Sequence, residues 1–363
     1  MKTLTLKKLT INNNVITFNT GMNFIIGYNG TGKTILFNTI LYLLGLKKNN
    51  RTMNLIKNNE VELECNIAGQ NLSFKRNLRD EVIIDGDIHE KINAKEINNF
   101  YTSLLSPQFN IGHDETAATQ IIRASFYSDG ELLSKIDKDD LKSKIMGINV
   151  NYLKESRRQI ELFKNNLQKD EYSYEILKTY INNVERNLNS VNNNDAELIK
   201  GILKKEFFNM YDELFENKKI LDQALEAYDN ISRQSDLLYS ERSSLIDELY
   251  NSYLEQLNLR VYSSIISYSG SERRLIEFLN LLIRTVKHTD LSFLNSSGLL
   301  VADCPFDHVD SSRLNEIRKM IDRETKQQKL QYIEFCYKDD SIPSEWIICD
   351  LRNKGALNWL KVD

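Results

Sequence analysis

Gly27-Tyr28-Asn29-Gly30-Thr31-Gly32-Lys33-Thr34 decides the reading of this chain. It fits the pattern GxxxxGK[ST] at every fixed position. The apolar run Phe24-Ile25-Ile26 precedes it and reads as a buried strand. After it, Ile35, Leu36, Ile40, Leu43 and Leu44 recur at helix spacing. Strand, glycine loop and helix in that order form the context in which the pattern cradles phosphate. The glycines let backbone N–H groups curl around phosphate oxygens without a Cβ clash. The helix N-terminus adds a favourable partial positive charge. Lys33 is the residue to reach β- and γ-phosphates, and the Thr34 hydroxyl the one to ligate Mg²⁺. Gly27, Asn29, Gly30, Thr31 and Gly32 complete the expected loop.

Working outward, Thr3–Leu9 and Val15–Phe18 are short β-type runs separated by Asn-rich turns. Val61–Ile67, Leu72–Arg76 and Glu81–Ile84 predict an antiparallel meander, with Asp85-Gly86 as a turn. The centre has a different period. Ile160, Phe163, Leu167, Asp170, Tyr174, Leu177, Ile181, Val184, Leu188 and Val191 step by three and four, with Asp170 the one polar member. After the polar break Asn192-Asn193-Asn194-Asp195, a second seam runs Leu203, Phe207, Met210, Leu214, Asn217, Leu221, Ala224, Tyr228, Ile231, Ser235, Leu238, Arg242, Leu245, Leu249. Two such segments joined by a short turn predict an antiparallel coiled-coil hairpin. Arms of about 50 residues reach roughly 75 Å. Two core helices of a wider bundle are the alternative. Beyond Leu259 the pattern is mixed again: a helix over Leu275–Val286, a buried strand over Gly298–Ala302, a helix over Ser311–Thr325, and strands over Leu330–Tyr337 and Glu345–Leu351. The α/β part is thus split, and its halves must meet to form one sheet.

Composition narrows the class. Hydrophobic residues make up 41% and charged residues 27%, enough apolar matter for a real core. Only three prolines leave room for long helices. A net charge of −4 excludes a globally basic nucleic-acid coat but not a local basic patch. Cys65, Cys304, Cys336 and Cys349 lie far apart and form no CxxC pair, so neither a zinc knuckle nor a disulfide framework is supported. No apolar run reaches the roughly 18 residues of a membrane span, and no signal-peptide pattern opens the sequence, so a cytoplasmic setting is expected.

A phosphate loop of this type needs an acid at the end of a buried strand to hold the Mg²⁺ shell. Gly298-Leu299-Leu300-Val301-Ala302-Asp303 offers it, with Asp310 shortly after. Upstream, Ser269-Gly270-Ser271-Glu272 opens a helical pattern, and a Ser-Gly turn at a helix start can donate to phosphate. The order of these pieces resembles the ABC-type ATPases of the SMC, RecF and RecN group. "GMNFIIGYNGTGKT" is similar to the family's P-loop, "YSGSERR" to its signature motif, and "LLVADCPFDHVD" to its Walker B strand and D-loop.

The resemblance implies a split ABC-type head over 1–138 and 259–363. It implies an inserted antiparallel coiled-coil hairpin over 139–258 with its tip near 192–195. It also implies ATP and Mg²⁺ as cofactors, with Thr34 and Asp303 at the metal. Ser269, Gly270, Ser271 and Glu272 of one head would close on the nucleotide of a second copy. Lys33, Asp303 and Asp310 would be the catalytic set. Cys304 stands where the family has the glutamate that polarises water, which implies slow hydrolysis unless Asp307, Asp310 or a partner supplies the base. The family's switch histidine has no counterpart after the strand at 330–337. For the Q-loop, Gln108, Gln120 and Asp129-Gly130-Glu131 stay open. The family binds duplex DNA beneath the coil, which Lys7, Lys8, Lys47, Lys48, Arg51, Lys75, Arg76 and Arg79, clustered in the first lobe, would serve; a solvated charged face is the alternative. Arg76 could equally reach the nucleotide. The expected activity is ATP hydrolysis coupled to DNA in repair or defence against foreign DNA. The alternatives are an ATP-switched regulator of a separate nuclease or toxin, and a scaffold that binds ATP with little hydrolysis.

Overall fold

The structure is a computed structural model and describes residues 4–46, 54, 56, 59–76, 81–86, 89–93, 96–105, 117–128, 146–148, 150–188, 194–259, 270–286, 291, 296–306, 309–328, 330–340, 342–353 and 355–359. The chain forms two compact units, one of Met1–Asn149 with Tyr239–Asp363, the other of Val150–Leu238.

The first unit holds two sheets. One is antiparallel, in the order β2-β1-β4-β5-β6-β7, from β1 (Leu4–Ile11), β2 (Asn14–Thr17), β4 (Val61–Ile67), β5 (Gln70–Arg76), β6 (Glu81–Gly86) and β7 (Glu90–Asn93). Its strands alternate: Val61, Leu63, Cys65 and Ile67 are buried while Glu62, Glu64 and Asn66 face outward. A bulge between Leu6 and Lys8 lets both Leu6 and Leu9 point inward. The outer face is knit by cross-strand ion pairs, Lys8–Glu64 at 2.8 Å, Lys75–Glu62 at 3.4 Å, Lys75–Asp85 at 3.3 Å and Lys91–Glu81 at 2.8 Å. Asp85 and Gly86 do not turn. They continue β6, paired with Ser73 and Leu72. Gly86 is needed for another reason: its φ is 129°, and a Cβ there would lie 2.0 Å from the Asn71 carbonyl oxygen.

The other sheet is parallel, in the order β11-β3-β10-β9-β8. It is built from β3 (Met22–Ile26), β8 (Phe126–Ser128), β9 (Leu299–Asp303), β10 (Gln331–Cys336) and β11 (Ile347–Asp350). Every residue of β3, β9 and β10 is buried, as in a parallel sheet covered on both faces. The two halves of the sequence meet here: β3 lies between β10 and β11, both from beyond the long helices. The β8 strand had no sequence signal strong enough to predict it. The expected strand over Glu345–Leu351 begins as a 3₁₀ turn at Ser344–Trp346, which stacks Trp346 on Phe24, and only then becomes β11. The buried Gln331 amide joins the two sheets. It accepts from the Leu6 N–H at 2.8 Å and donates to the Leu6 and Asn19 carbonyls at 2.8 and 2.9 Å. Helices α1 (Lys33–Leu43), α2 (Ile97–Leu105), α3 (Ala117–Arg123), α6 (Gly270–Val286) and α7 (Ser311–Gln328) accompany the sheets.

In the second unit, α4 (Val150–Leu188) and the first part of α5 (Asn194–Gln256) pack antiparallel. Leu167, Leu214 and Leu221 form the seam's buried centre, with Ile160, Phe163, Tyr174 and Met210 against it. Tyr174 stacks on Phe207 with ring centroids 4.8 Å apart, and Lys204 pairs with Glu185 at 2.9 Å across the helices. Asp170 is exposed as the break in the seam suggests, while its neighbour Glu171 pairs with Lys218. Residues 189–193 lie outside the described residues, and Asn194 and Asp195 already belong to α5.

The second seam departs from the predicted heptads. Ile231, Leu238 and Leu245 are exposed, while Ser232, Tyr239 and Ile246 take the covered positions. Covered residues run 221, 224, 228, 232, a step of three followed by two steps of four. A step of four in place of three at Tyr228–Ser232 shifts the register by one residue; covered positions then run 232, 235, 239, 242, 246 and 249 at heptad spacing, so the expected Ser235, Arg242 and Leu249 stay covered.

Candidate nucleotide-binding site

The phosphate loop leaves β3 at Gly27, whose N–H donates to the Cys336 carbonyl at 3.1 Å. A tight turn follows, in which both the N–H and the hydroxyl of Thr31 donate to the Tyr28 carbonyl, at 3.3 and 2.8 Å. Gly30 and Gly32 have φ of 78° and 94°, which a side chain would strain. A Cβ on Gly32 would also come within 3.0 Å of Ala356 Cβ. Helix α1 begins at Lys33 with no side-chain cap and no acid in its first turn. Its first backbone bond is Leu36 N–H to the Gly32 carbonyl at 3.1 Å, so the N–H groups before it are open to an anion. Asn29, Gly30 and Thr34 are exposed. Lys33 is buried, 6% exposed, and its ammonium donates to the Gly27 and Tyr28 carbonyls at 2.8 and 3.0 Å.

Asp303 ends β9 and is buried. Phe335 of β10 pairs with Asp303 on one side and with Ile25 of β3 on the other. Asp303 therefore stands level with Ile25, two residues before Gly27, and two strand spacings or about 9.5 Å from it across the sheet. The next residue, Cys304, turns the chain with φ of 49° and donates its N–H to the Phe335 carbonyl at 2.8 Å. This donor set suits a nucleoside triphosphate with Mg²⁺: a buried cation and open N–H groups for phosphate, and a hydroxyl and a carboxylate for the metal.

Other expected site residues are placed differently. The Asp310 carboxylate caps α7, accepting from the Arg313 N–H at 3.0 Å, while its carbonyl accepts from Leu314 at 3.0 Å. Gly270 opens α6, with Ser271 and Glu272 in its first turn. Ser269, Asp307, Gln108, Asp129-Gly130-Glu131, Lys47, Lys48, Arg51 and Arg79 lie outside the described residues. Gln120 is half-buried in α3. Arg76 does not point to phosphate. Its guanidinium lies 4.3 Å over the Tyr42 ring, near the C-terminal end of α1, a helix length of about 15 Å from the loop.

Three supporting features have no motif in the sequence. The Ala356 N–H donates to the Thr31 carbonyl at 2.7 Å, so the 3₁₀ turn Ala356–Trp359 backs the phosphate loop. The Tyr337 ring lies 4.3 Å from the Lys33 ammonium. Arg318 of α7, 2% exposed, pairs with Glu334 at 2.8 Å and with Asp339 at 2.6 Å, bracketing Tyr337. Burial pushes the Cys336 thiol well up, and the Glu334 carboxylate adds to the shift.

No protein-family model matches the chain, and no curated protein matches it in sequence. Among solved structures it is similar to the Smc head domain with an extended coiled coil from Pyrococcus furiosus, bound there to the C-terminal domain of ScpA. The two share 13% identity with a TM-score of 0.61, over 93% of this chain and 90% of that one. The chain has the fold of an SMC head with its coiled coil. A Thermotoga maritima SMC head also aligns, at 12% identity over 92% of this chain and 89% of that chain, with a TM-score of only 0.40. The SMC-type fold accounts for the split parallel sheet and for the long helices between its halves. Among the described residues no helix is long and apolar enough to cross a membrane.

Proposed function

We propose that this chain is an ATP-operated SMC-like ATPase. Two copies close on two ATP–Mg²⁺, and slow hydrolysis is coupled to duplex DNA in repair or in defence against foreign DNA. The observation that carries the reading is the buried Lys33 at the start of α1, with the buried Asp303 ending β9 level with Ile25, two residues before the loop begins. Lys33 and the loop N–H groups would hold the β- and γ-phosphates, and Thr34 and Asp303 would hold the metal. Bound ATP–Mg²⁺ supplies a γ-phosphoryl group open to attack by water. Each head has one phosphate loop and one Ser269–Glu272 turn, so a two-fold pair would complete both sites.

A second reading is favoured by two observations. Cys304 replaces a carboxylate beside Asp303, and a thiol polarises water poorly. Lys8 and Lys75, two members of the basic cluster, are already paired with Glu64, Glu62 and Asp85. Both suit a nucleotide-switched regulator of a separate nuclease or toxin. The ScpA segment on the Pyrococcus head is a precedent for a partner subunit on such a fold.

The deciding experiment is ATP turnover with and without linear duplex DNA at 50 and about 200 mM salt, where phosphate contacts weaken steeply. Turnover raised by DNA at low salt supports the first reading. ATP binding with turnover indifferent to DNA supports the second.

A further inference from the structure

We infer that Tyr337 holds Lys33 in a resting position that phosphate must displace, making this ring a positioning residue that sets the loop's affinity for nucleotides. The inference rests on the ATP-binding reading above. The Lys33 ammonium has three donors, and three acceptors face it: the Gly27 carbonyl at 2.8 Å, the Tyr28 carbonyl at 3.0 Å and the Tyr337 ring at 4.3 Å. The carbonyls belong to the phosphate loop and move with it. The ring does not; it comes from the segment after β10.

That segment is fixed on every side. The Gly27 N–H donates to Cys336, the residue before Tyr337, and the Cys304 N–H donates to Phe335. Arg318 then binds Glu334 upstream and Asp339 downstream, the latter through both carboxylate oxygens at 2.6 and 2.7 Å. Tyr337 therefore emerges between the phosphate loop and the Asp303-Cys304 turn, on a backbone anchored at both ends. A cation over an aromatic face is held more strongly as water is excluded, and Lys33 is only 6% exposed. Moving the ammonium onto a β- or γ-phosphate gives up this contact.

The test is calorimetric titration of ADP and ATP, with Mg²⁺, into the full chain and its variants. Tyr337→Leu is expected to bind both nucleotides about fivefold more tightly, the size of a partly desolvated cation–π contact. Tyr337→Phe keeps the ring face and should match wild type. In a Lys33→Met background, Tyr337→Leu should change nothing, which a merely structural role would not predict. Thermal melting checks that each variant is folded, and Tyr337→Phe keeps the test open should Tyr337→Leu not fold. Unchanged or weaker binding by folded Tyr337→Leu overturns the inference alone, as does tighter binding by Tyr337→Phe. Absence of ATP binding by the wild type overturns the nucleotide reading and this inference with it.

Discussion

Arg318→Met should destabilise the head strongly, because it leaves the buried Glu334 carboxylate without its cation. Arg318 is 2% exposed and Glu334 fully buried. The guanidinium donates to Glu334 at 2.8 Å and to Asp339 at 2.6 and 2.7 Å, and lies 5.2 Å from the Phe24 ring. Burial alone works against the Arg318 charge, but Glu334 and Asp339 outweigh it and hold the proton more tightly than usual. Without Arg318, the Glu334 carboxylate keeps the Tyr332 hydroxyl, 2.7 Å away, but no cation. Breaking a buried pair from one side typically costs about 3–5 kcal/mol, a large part of the roughly 5–15 kcal/mol that holds a domain folded. At about 2–4 °C per kcal/mol, the melting point should fall by about 6–20 °C. Removing the charge as well, in Arg318→Met with Glu334→Gln, should recover part of that loss. Calorimetric melting of the three proteins decides. A single variant within about 2 °C of wild type, or a double variant less stable than the single, would refute the assignment of this pair as an uncompensated-charge risk.

Three further outcomes are expected. Lys33→Ala should weaken ATP binding more than about tenfold by titration, the loss of a charged hydrogen bond, without a comparable fall in melting point. Cys304→Glu should raise turnover by about 10²-fold or more if that position serves as base, measured by phosphate release. No change there, together with a large loss in Asp307→Asn, would move the base downstream. On the proposed two-fold arrangement, Ser269→Arg should abolish ATP-dependent dimers in sedimentation while a single head still binds ATP, because the added bulk would stand where that arrangement brings the partner's phosphate.

The phosphate loop was legible because its chemistry is local. Gly30 and Gly32 are required by backbone angles, and Lys33 by the helix it opens, so the order of residues suffices. The buried strands β3 and β9 were legible as short apolar runs for the same reason. What depends on distant partners was hidden. Asp85-Gly86 has the composition of a turn, yet the glycine serves a close approach by Asn71. The one-residue shift of the second seam after Tyr228 is hidden because Ile231, Leu238 and Leu245 are apolar, while the positions actually covered include Ser232 and Tyr239. Tyr337, Arg318 and Ala356 act on the loop through space, and neither period nor motif marks them.

The split arrangement has a thermodynamic and a kinetic side, and they differ. Both neighbours of β3 come from the far half of the chain, and the Thr31 carbonyl waits for Ala356 near its end. At equilibrium this distance costs little, since each doubling of a closed loop adds only about 0.6 kcal/mol. In time it costs more, because pairings between remote segments form slowly and late. Until they form, β3 has two unpaired edges and Gly27 lacks its bond to Cys336. The Lys33 cradle likewise lacks the Tyr337 ring. The motif at Gly27–Thr34 is therefore necessary for the site but does not constitute it. The shape that phosphate would meet is set by the sheet that closes around β3, and the residues that set it are those of β10, α7 and the final 3₁₀ turn.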